Sequence, residues 1–428
     1  MMGVPLLYRL HGDLVVSDLA AALDNLMSRH AALRTTFVLM SRKLNQITHP
    51  PGHVPLELTR IDTTSAQDPV KEAYGQVRDW LRAGTDISVA PLRAALWHMA
   101  DDDHLLVLDI HHIVTDAWSN MIISRDLAAL YRAQRQGCEA DLPEIKWQYA
   151  DYASWRQQNA ASDDVHREYV IDLLRGAQFL KLPPAPERPG RQRPLAGNEW
   201  FDLDPEQIEA LRTIARDERT TLFVVMMSLF FAAMHSVTGQ PDIAMGSVFA
   251  NRGRPEVRES VGFFANMVVV RARLGTEPTI RDVIRVIRHS VLDCLAHEEF
   301  SHVALPHDAW PPDASGQPED VVFHMLAEPP TARVEGRTDF GGLRVQQHHI
   351  PDGLGSRFEL EMLAIPRPNG LECVIRYAAD RFTREYAEDI AGRFLAAVSE
   401  LTAGHLRDPA PSRSSGAAQS PAGMTRIS

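Results

Sequence analysis

Cysteine is scarce. Cys138, Cys294 and Cys373 are the only three in 428 residues, and no two stand in a CxxC spacing. That pattern offers neither a disulfide framework nor a zinc ribbon, and a reducing, cytoplasmic setting is expected. Basic charge is also in deficit: 44 Lys and Arg against 56 Asp and Glu give a net charge of −12. Sequence-independent binding to nucleic acid or to anionic membranes is therefore disfavoured. Long apolar runs are missing too. The most apolar stretch, Leu222 to Met234, is too short to span a bilayer and predicts a helix buried inside the protein. The opening "MMGVPLLYRLHGD" has no basic n-region and no long apolar h-region, so no signal peptide is expected. No tandem repeat is visible.

What remains is an ordinary soluble composition, 45% apolar and 23% charged, in a chain long enough for two domains or two halves of one. "VSDLAAALDNLMSRHAAL" sets Leu19, Leu23, Leu26 and Met27 at helical spacing with Ser17 as the expected cap, and "LRTTFVLM" after it is rich in strand formers. A second helix is expected from about Pro69 to near Gly84. "LRAALWHMADDDHLLVLDIHHI" predicts a hairpin turning at Asp101 to Asp103. Beyond it Trp118, Ile122, Ile123, Leu127, Leu130 and Tyr131 share one helical face, which Gly137 ends.

The Pro- and Arg-rich stretch 180–197 predicts an exposed connection between a half spanning 1–179 and a half spanning 198–406. In the second half Asp204 and Pro205 signal a helix start, and the buried helix runs from Thr221 to about Val237. A further hairpin carries Phe358, Leu360 and Met362 before an Asn369-Gly370 turn and Leu371, Cys373 and Ile375 after it. A last helix spans Arg384 to about Leu401, and the tail 407–428 is expected to be disordered.

The chemistry concentrates in "LDIHHIVTDAWSN", Leu108 to Asn120. Strand alternation puts His111 with Asp109 and Val107, and His112 with Ile110 and Leu108, so the two imidazoles cannot address one ligand. A metal site is disfavoured for that reason, and because no Cys or carboxylate cluster stands nearby. His112, on the apolar side, suits a general base whose tautomer and pKa are set by its pocket. Asp116 could cap the following helix or pair with an arginine. The residues alone leave a satisfied core histidine beside a capping aspartate as an equal reading. Downstream, "HHIPDG" (His348 to Gly353) repeats the letters in a Pro- and Gly-rich stretch and reads as a surface loop.

"HHIVTDAWS" resembles the HHxxxDG signature of nonribosomal peptide synthetase condensation domains, members of the chloramphenicol acetyltransferase-like superfamily. "RHAALRTTF" (Arg29 to Phe37) resembles the family's RHxxLRTxF motif, and "YADYASWRQ" (Tyr149 to Gln157) its YxDYAxW motif. "MGSVFANRGRPEVRESVGFFANMVVVR" (Met245 to Arg271) is similar to the segment ending in GFFxN, which includes Asn266. The resemblance runs from about Pro5 to about Leu406. It implies an α/β fold, an α+β sandwich of two acetyltransferase-like halves forming a V with a central tunnel. It implies condensation of a carrier-bound acyl, aminoacyl or peptidyl thioester with an acceptor amine. It implies no permanently bound cofactor, with the 4′-phosphopantetheine arms of donor and acceptor peptidyl carrier proteins, or of carrier-bearing synthetase modules, delivering the substrates.

By motif position His112 would act as base or as orienting partner of the nucleophile. His111, Trp118, Ser119 and Asn266 would support the site, and Asp116 would be a buried mate of Arg34. The family glycine after the aspartate is Ala117 here, which predicts an added methyl group in a narrow tunnel. The family's opening motif near SxAQxRLW is absent, so either the start is assigned late or the first half is truncated. With no adenylation or carrier signature, a free-standing protein, or a domain excised from a larger gene model, is expected, served by carriers in trans. Arg252, Arg254, Arg258, Arg188, Arg191 and Arg193 are candidates for a basic patch facing acidic carriers. An ester-forming acyltransferase and a non-catalytic recruitment module are the rival readings. The order Trp118 then Ser119 favours condensation over an epimerase.

Overall fold

A computed structural model describes residues 3–159, 163–183, 194–305, 310, 316–326, 340–348, 355–367 and 370–403. The chain opens with β1 (Gly3–His11), α1 (Val16–Arg29), a hairpin of β2 (Thr35–Met40) and β3 (Lys43–Thr48), β4 (Leu58–Asp62) and α2 (Pro69–Arg82). A second hairpin follows, β5 (Leu92–Ala100) and β6 (Asp103–His111), and leads into α3 (Ala117–Gln136). Two helices, α4 (Tyr149–Asn159) and α5 (Asp163–Leu174), precede β7 (Ala196–Leu203), α6 (Pro205–Asp217), α7 (Leu222–Thr238), β8 (Asp242–Phe249) and β9 (Asn266–Arg273). The last elements are α8 (Ile280–Ala296), β10 (Val321–Met325), β11 (Arg344–His348), β12 (Leu360–Arg367), β13 (Gly370–Ala378) and α9 (Arg384–Thr402).

The first sheet has the order β11-β1-β6-β5-β4, the second β7-β13-β12-β10-β8-β9, and among the described residues β2 and β3 pair only with each other. Both faces of the first sheet are covered. Leu6, Leu106, Leu108 and Ile110 face α1 and α3, while Leu7, Trp97, Leu105 and Val107 face α2. This explains why β6 is buried at every position before His111 although it is antiparallel to both neighbours. In the second sheet one face packs on α6 to α9, with Phe230 and Phe231 of α7 fully buried.

Local signals set most boundaries. Asp204 accepts from the amide of Gln207, whose side chain in turn accepts from the amide of Asp204, with Pro205 in the first turn; Thr221 caps α7 through the amide of Val224. Gly137 ends α3 in the left-handed conformation that glycine adopts without steric cost. Ser17 does not cap α1. The helix begins at Val16 with no side-chain cap, and Ser17 lies inside its first turn.

One strand crosses the sequence division. β11, from the second half, adds to the edge of the first sheet and pairs His348 with Leu7. The surface-loop reading of His348 is thereby corrected: a strand precedes it, and His348 is that strand's last residue. An edge strand that exposes Arg344, Gln346 and Gln347 carries little of the apolar signature that marks a strand in sequence. The Asn369 turn, the rest of "HHIPDG", residues 184–193 of the connection and the tail from 404 lie outside the described residues. No single helix among the described residues is long and apolar enough to cross a membrane.

Phe230 is the test of the second core. Replacing it by Ala removes a fully buried ring that packs 5.9 Å from Phe323, and should cost about 3–5 kcal/mol. Urea unfolding at constant slope would measure it.

Candidate active site

β6 ends at His111, and the chain turns through a 3₁₀ segment, His112–Val114, before Asp116 starts α3. His111 is tied to local backbone: its amide donates to the carbonyl of Pro91 at 2.8 Å, and its Nδ1 accepts from the amide of Ile113 at 3.2 Å. His112 turns toward the second sheet's connections, with Phe263 against its ring at 4.7 Å between centroids. Its Nδ1 is buried without a hydrogen bond of normal geometry. Burial is the main cause that lowers the His112 pKa to about 4; Arg357 adds to it, and the backbone carbonyls of His112 and Thr115 and the Asp116 carboxylate oppose it. The imidazole is therefore neutral at physiological pH.

Asp116 does not face that ring. Its Oδ1 accepts from the amide of Ser119 at 2.7 Å and meets Arg252 Nη2 at 3.3 Å. Its Oδ2 accepts from the amides of Phe264 at 2.9 Å and Ala265 at 3.1 Å. The side chains of Asp116 and Arg252 are 1% and 2% exposed. Arg252 also donates to Ser119 Oγ at 2.8 Å and to the carbonyls of Val257 and Ser260, with Phe264 stacked on its guanidinium at 4.1 Å.

The expected pair of Asp116 with Arg34 is corrected by this arrangement. Arg34 ends the turn after α1 and donates to the carbonyl of His49, toward the β2–β3 hairpin. The mate of Asp116 is instead Arg252, a candidate for the basic surface patch that proves to be buried. Of the other patch candidates, Arg254 lies over Trp155 at 4.1 Å, Arg258 is exposed, and Arg188, Arg191 and Arg193 lie outside the described residues.

The loop facing His112 is held from two sides. On the α3 side, Ser119 Oγ donates to the carbonyl of Gly262 at 2.8 Å and Trp118 Nε1 donates to the carbonyl of Arg258 at 3.0 Å. On the α4 side, Tyr149 donates to the carbonyl of Phe263 at 3.1 Å, and Asn251 bridges the Tyr152 hydroxyl and the Phe264 carbonyl. Gly262 permits this closeness: a Cβ there would lie 2.1 Å from the Tyr149 ring. Asn266, at the start of β9, donates to the carbonyl of Glu298 at 2.7 Å and so fixes the loop's far end. Ala117 is the exposed first residue of α3 and is not among the positive-φ residues, so its backbone does not require glycine.

Sequence reasoning missed Arg252 as a partner, Phe263 as the neighbour of His112, and Arg357. It also missed the purpose of "RH" in "RHAALRTTF". Arg29 and His30 both bond Asp126 of α3, at 2.8 and 3.0 Å, which ties α1 to the helix that Asp116 starts. Among the described residues no group of three or more His, Cys, Asp or Glu could hold a metal ion.

The site thus places a neutral histidine at a strand-to-helix junction, facing a loop that leads into the second sheet. The model of the condensation domain matches residues 3–409. A linear gramicidin synthase polypeptide of Brevibacillus parabrevis is 31% identical over 93% of this chain and 5% of its own length. Phosphinothricin tripeptide synthetase PhsB of Streptomyces viridochromogenes is 30% identical over 89% of this chain and 32% of its own length. Among solved structures, the first condensation domain of the CDA synthetase superposes with a TM-score of 0.77 at 20% identity, covering 94% of this chain and 91% of that one. The chain belongs to the condensation-domain family, and it spans only a small part of the synthetases that it matches.

The two arginines separate experimentally. Arg252→Ala leaves Asp116 buried without its charged mate and should cost roughly 3–5 kcal/mol. Arg34→Ala removes one hydrogen bond to a carbonyl and should cost about 0.5–1.5 kcal/mol. Denaturant midpoints of the two variants would establish the order.

Proposed function

We propose that this chain catalyses the condensation step of nonribosomal peptide assembly. The acceptor amine, carried on one phosphopantetheine arm, attacks the thioester carbonyl of an acyl, aminoacyl or peptidyl donor on another. A C–N bond forms, the C–S bond breaks, and the donor carrier's thiol leaves with the proton that the amine gives up. His112 is the residue we assign to that proton, and a donor and an acceptor carrier protein are the partners. His111, Trp118, Ser119, Asn266 and Asp116 act through the backbone that positions it.

The observation that carries this reading is the neutral imidazole of His112 beside Phe263, with the nearby carboxylate turned away and fully engaged elsewhere. An alcohol becomes a good nucleophile only as its proton leaves, so it needs a base at the moment of attack, and burial holds the His112 imidazole below its ordinary basicity. An amine attacks as a neutral nucleophile without prior deprotonation, and its proton is lost only from the adduct. The amide reading is favoured over the ester reading on that ground. Much of the rate then comes from holding amine and thioester together, for which His112 supplies a directed acceptor. A recruitment module would give this histidine no task.

Incubation with loaded donor and acceptor carriers, with the product followed by mass spectrometry, tests the assignment. His112→Ala should lower the rate about 10²- to 10⁴-fold; product formed equally well by the variant would sink it. The pH profile is a second test. Protonation of the acceptor amine, with an α-amino pKa of about 7.7–8, lowers the observed rate first; once the rate is divided by the neutral-amine fraction it should stay level downward and fall only as pH approaches about 4, without a limb near 6.5, the ordinary histidine value.

A further inference from the structure

The β2–β3 hairpin has no place in the chemistry above and is built unlike the rest of the surface. Among the described residues its strands pair only with each other. Large apolar side chains stand exposed along it: Leu39 at 73%, Met40 at 57%, Leu44 at 56% and Ile47 at 40%. Leu39 and Leu44 are directly opposed across the ribbon, while the Met40–Lys43 and Thr36–Ile47 pairs lie on its other face. An exposed ribbon with apolar residues on both faces is an association hazard unless something covers it.

Its charge is equally distinct. The chain carries 56 acidic residues, yet none falls between Asp24 and Glu57. Within that segment Arg29 is bound to Asp126 and Arg34 to the carbonyl of His49. Arg42 and Lys43 project at the tip, exposed, with no ion pair among the described residues. A protein of net charge −12 therefore presents one apolar ribbon tipped with positive charge.

The turn is costly as well. Ser41 and Arg42 both hold left-handed backbone, at φ of 51° and 64°, where a two-residue hairpin turn ordinarily takes Asn-Gly. Arginine stands where glycine would be unstrained. The base is rigid. Phe37 donates to the carbonyl of Ile87 at 2.9 Å, Thr36 bonds His49 at 2.7 Å, and Thr35 bonds Thr48 at 3.0 Å.

We propose that the hairpin is the docking element for an acidic carrier protein, with Leu39 and Leu44 seated on an apolar centre and Arg42 and Lys43 facing its carboxylates. The charge complementarity selects this occupant. An anionic bilayer would meet the net negative charge of the rest of the chain, whereas a small acidic protein can approach the tip alone. The choice of a carrier rests on the condensation reading above.

The test measures binding and turnover separately, using the full chain. The binding probe is a fluorescently labelled holo peptidyl carrier domain, followed by anisotropy. Arg42→Glu with Lys43→Glu should weaken its Kd at least about tenfold at low salt, with the difference shrinking as salt rises. Leu39→Ser with Leu44→Ser should weaken it at any salt. Both variants should keep the wild-type Tm, and both should turn over soluble pantetheine thioesters as the wild type does. Failure of the wild type to bind the carrier, or equal binding by the variants, overturns the proposal. So does hairpin-dependent flotation with phosphatidylglycerol vesicles while the carrier Kd is unchanged. Hairpin-dependent binding without any amide product would leave the docking assignment standing and remove the condensation reading.

Discussion

One carboxylate organises this molecule. Asp116 is buried, and a buried charge is tolerated only when paired and fully hydrogen-bonded. Its partners come from its own helix and from residues 252–265 of the chain that forms the second sheet. The start of α3, the path of the loop to Asn266 and the position of His112 one turn earlier all follow from where those donors converge. Tyr149 and Tyr152 press the same loop from the other side, and the bare backbone of Gly262 lets them do so.

The division of labour between the two ionisable groups of the motif is electrostatic. Asp116 is satisfied by backbone amides and a guanidinium, so its charge is spent on architecture. His112 is left without a carboxylate partner, and desolvation with the nearby Arg357 keeps it neutral. A histidine held by a carboxylate would be a stronger base. This one is an acceptor of fixed direction, which suits a nucleophile already neutral when it attacks.

Much of this is legible in the sequence alone. The β5–β6 hairpin, the helix ended by Gly137, the caps at Asp204 and Thr221 and the buried α7 each carry a local signature: periodicity, a capping residue or a turn residue. What failed were pairings without local signature. Arg34 and Arg252 both lie in stretches that resemble family motifs, and nothing in the letters says which guanidinium reaches Asp116 across the interface. Ser17 is a good capping residue one position too far into α1. β11 joins an edge through polar residues, so its pairing with β1 is a fact of topology. β2 was readable as a run of strand formers, but β3 and the isolation of the pair from both sheets were not.

The buried pair of Asp116 and Arg252 also constrains motion. Substrates must enter and products must leave, and any relative rotation of the two sheets that pulled α3 from the 252–265 segment would separate two desolvated charges. The cheapest rotation therefore turns about that contact and leaves it intact. A point on the axis of a turning body barely travels, while points far from it sweep wide. His112, close in sequence and space to that contact, would be displaced least by such a rotation.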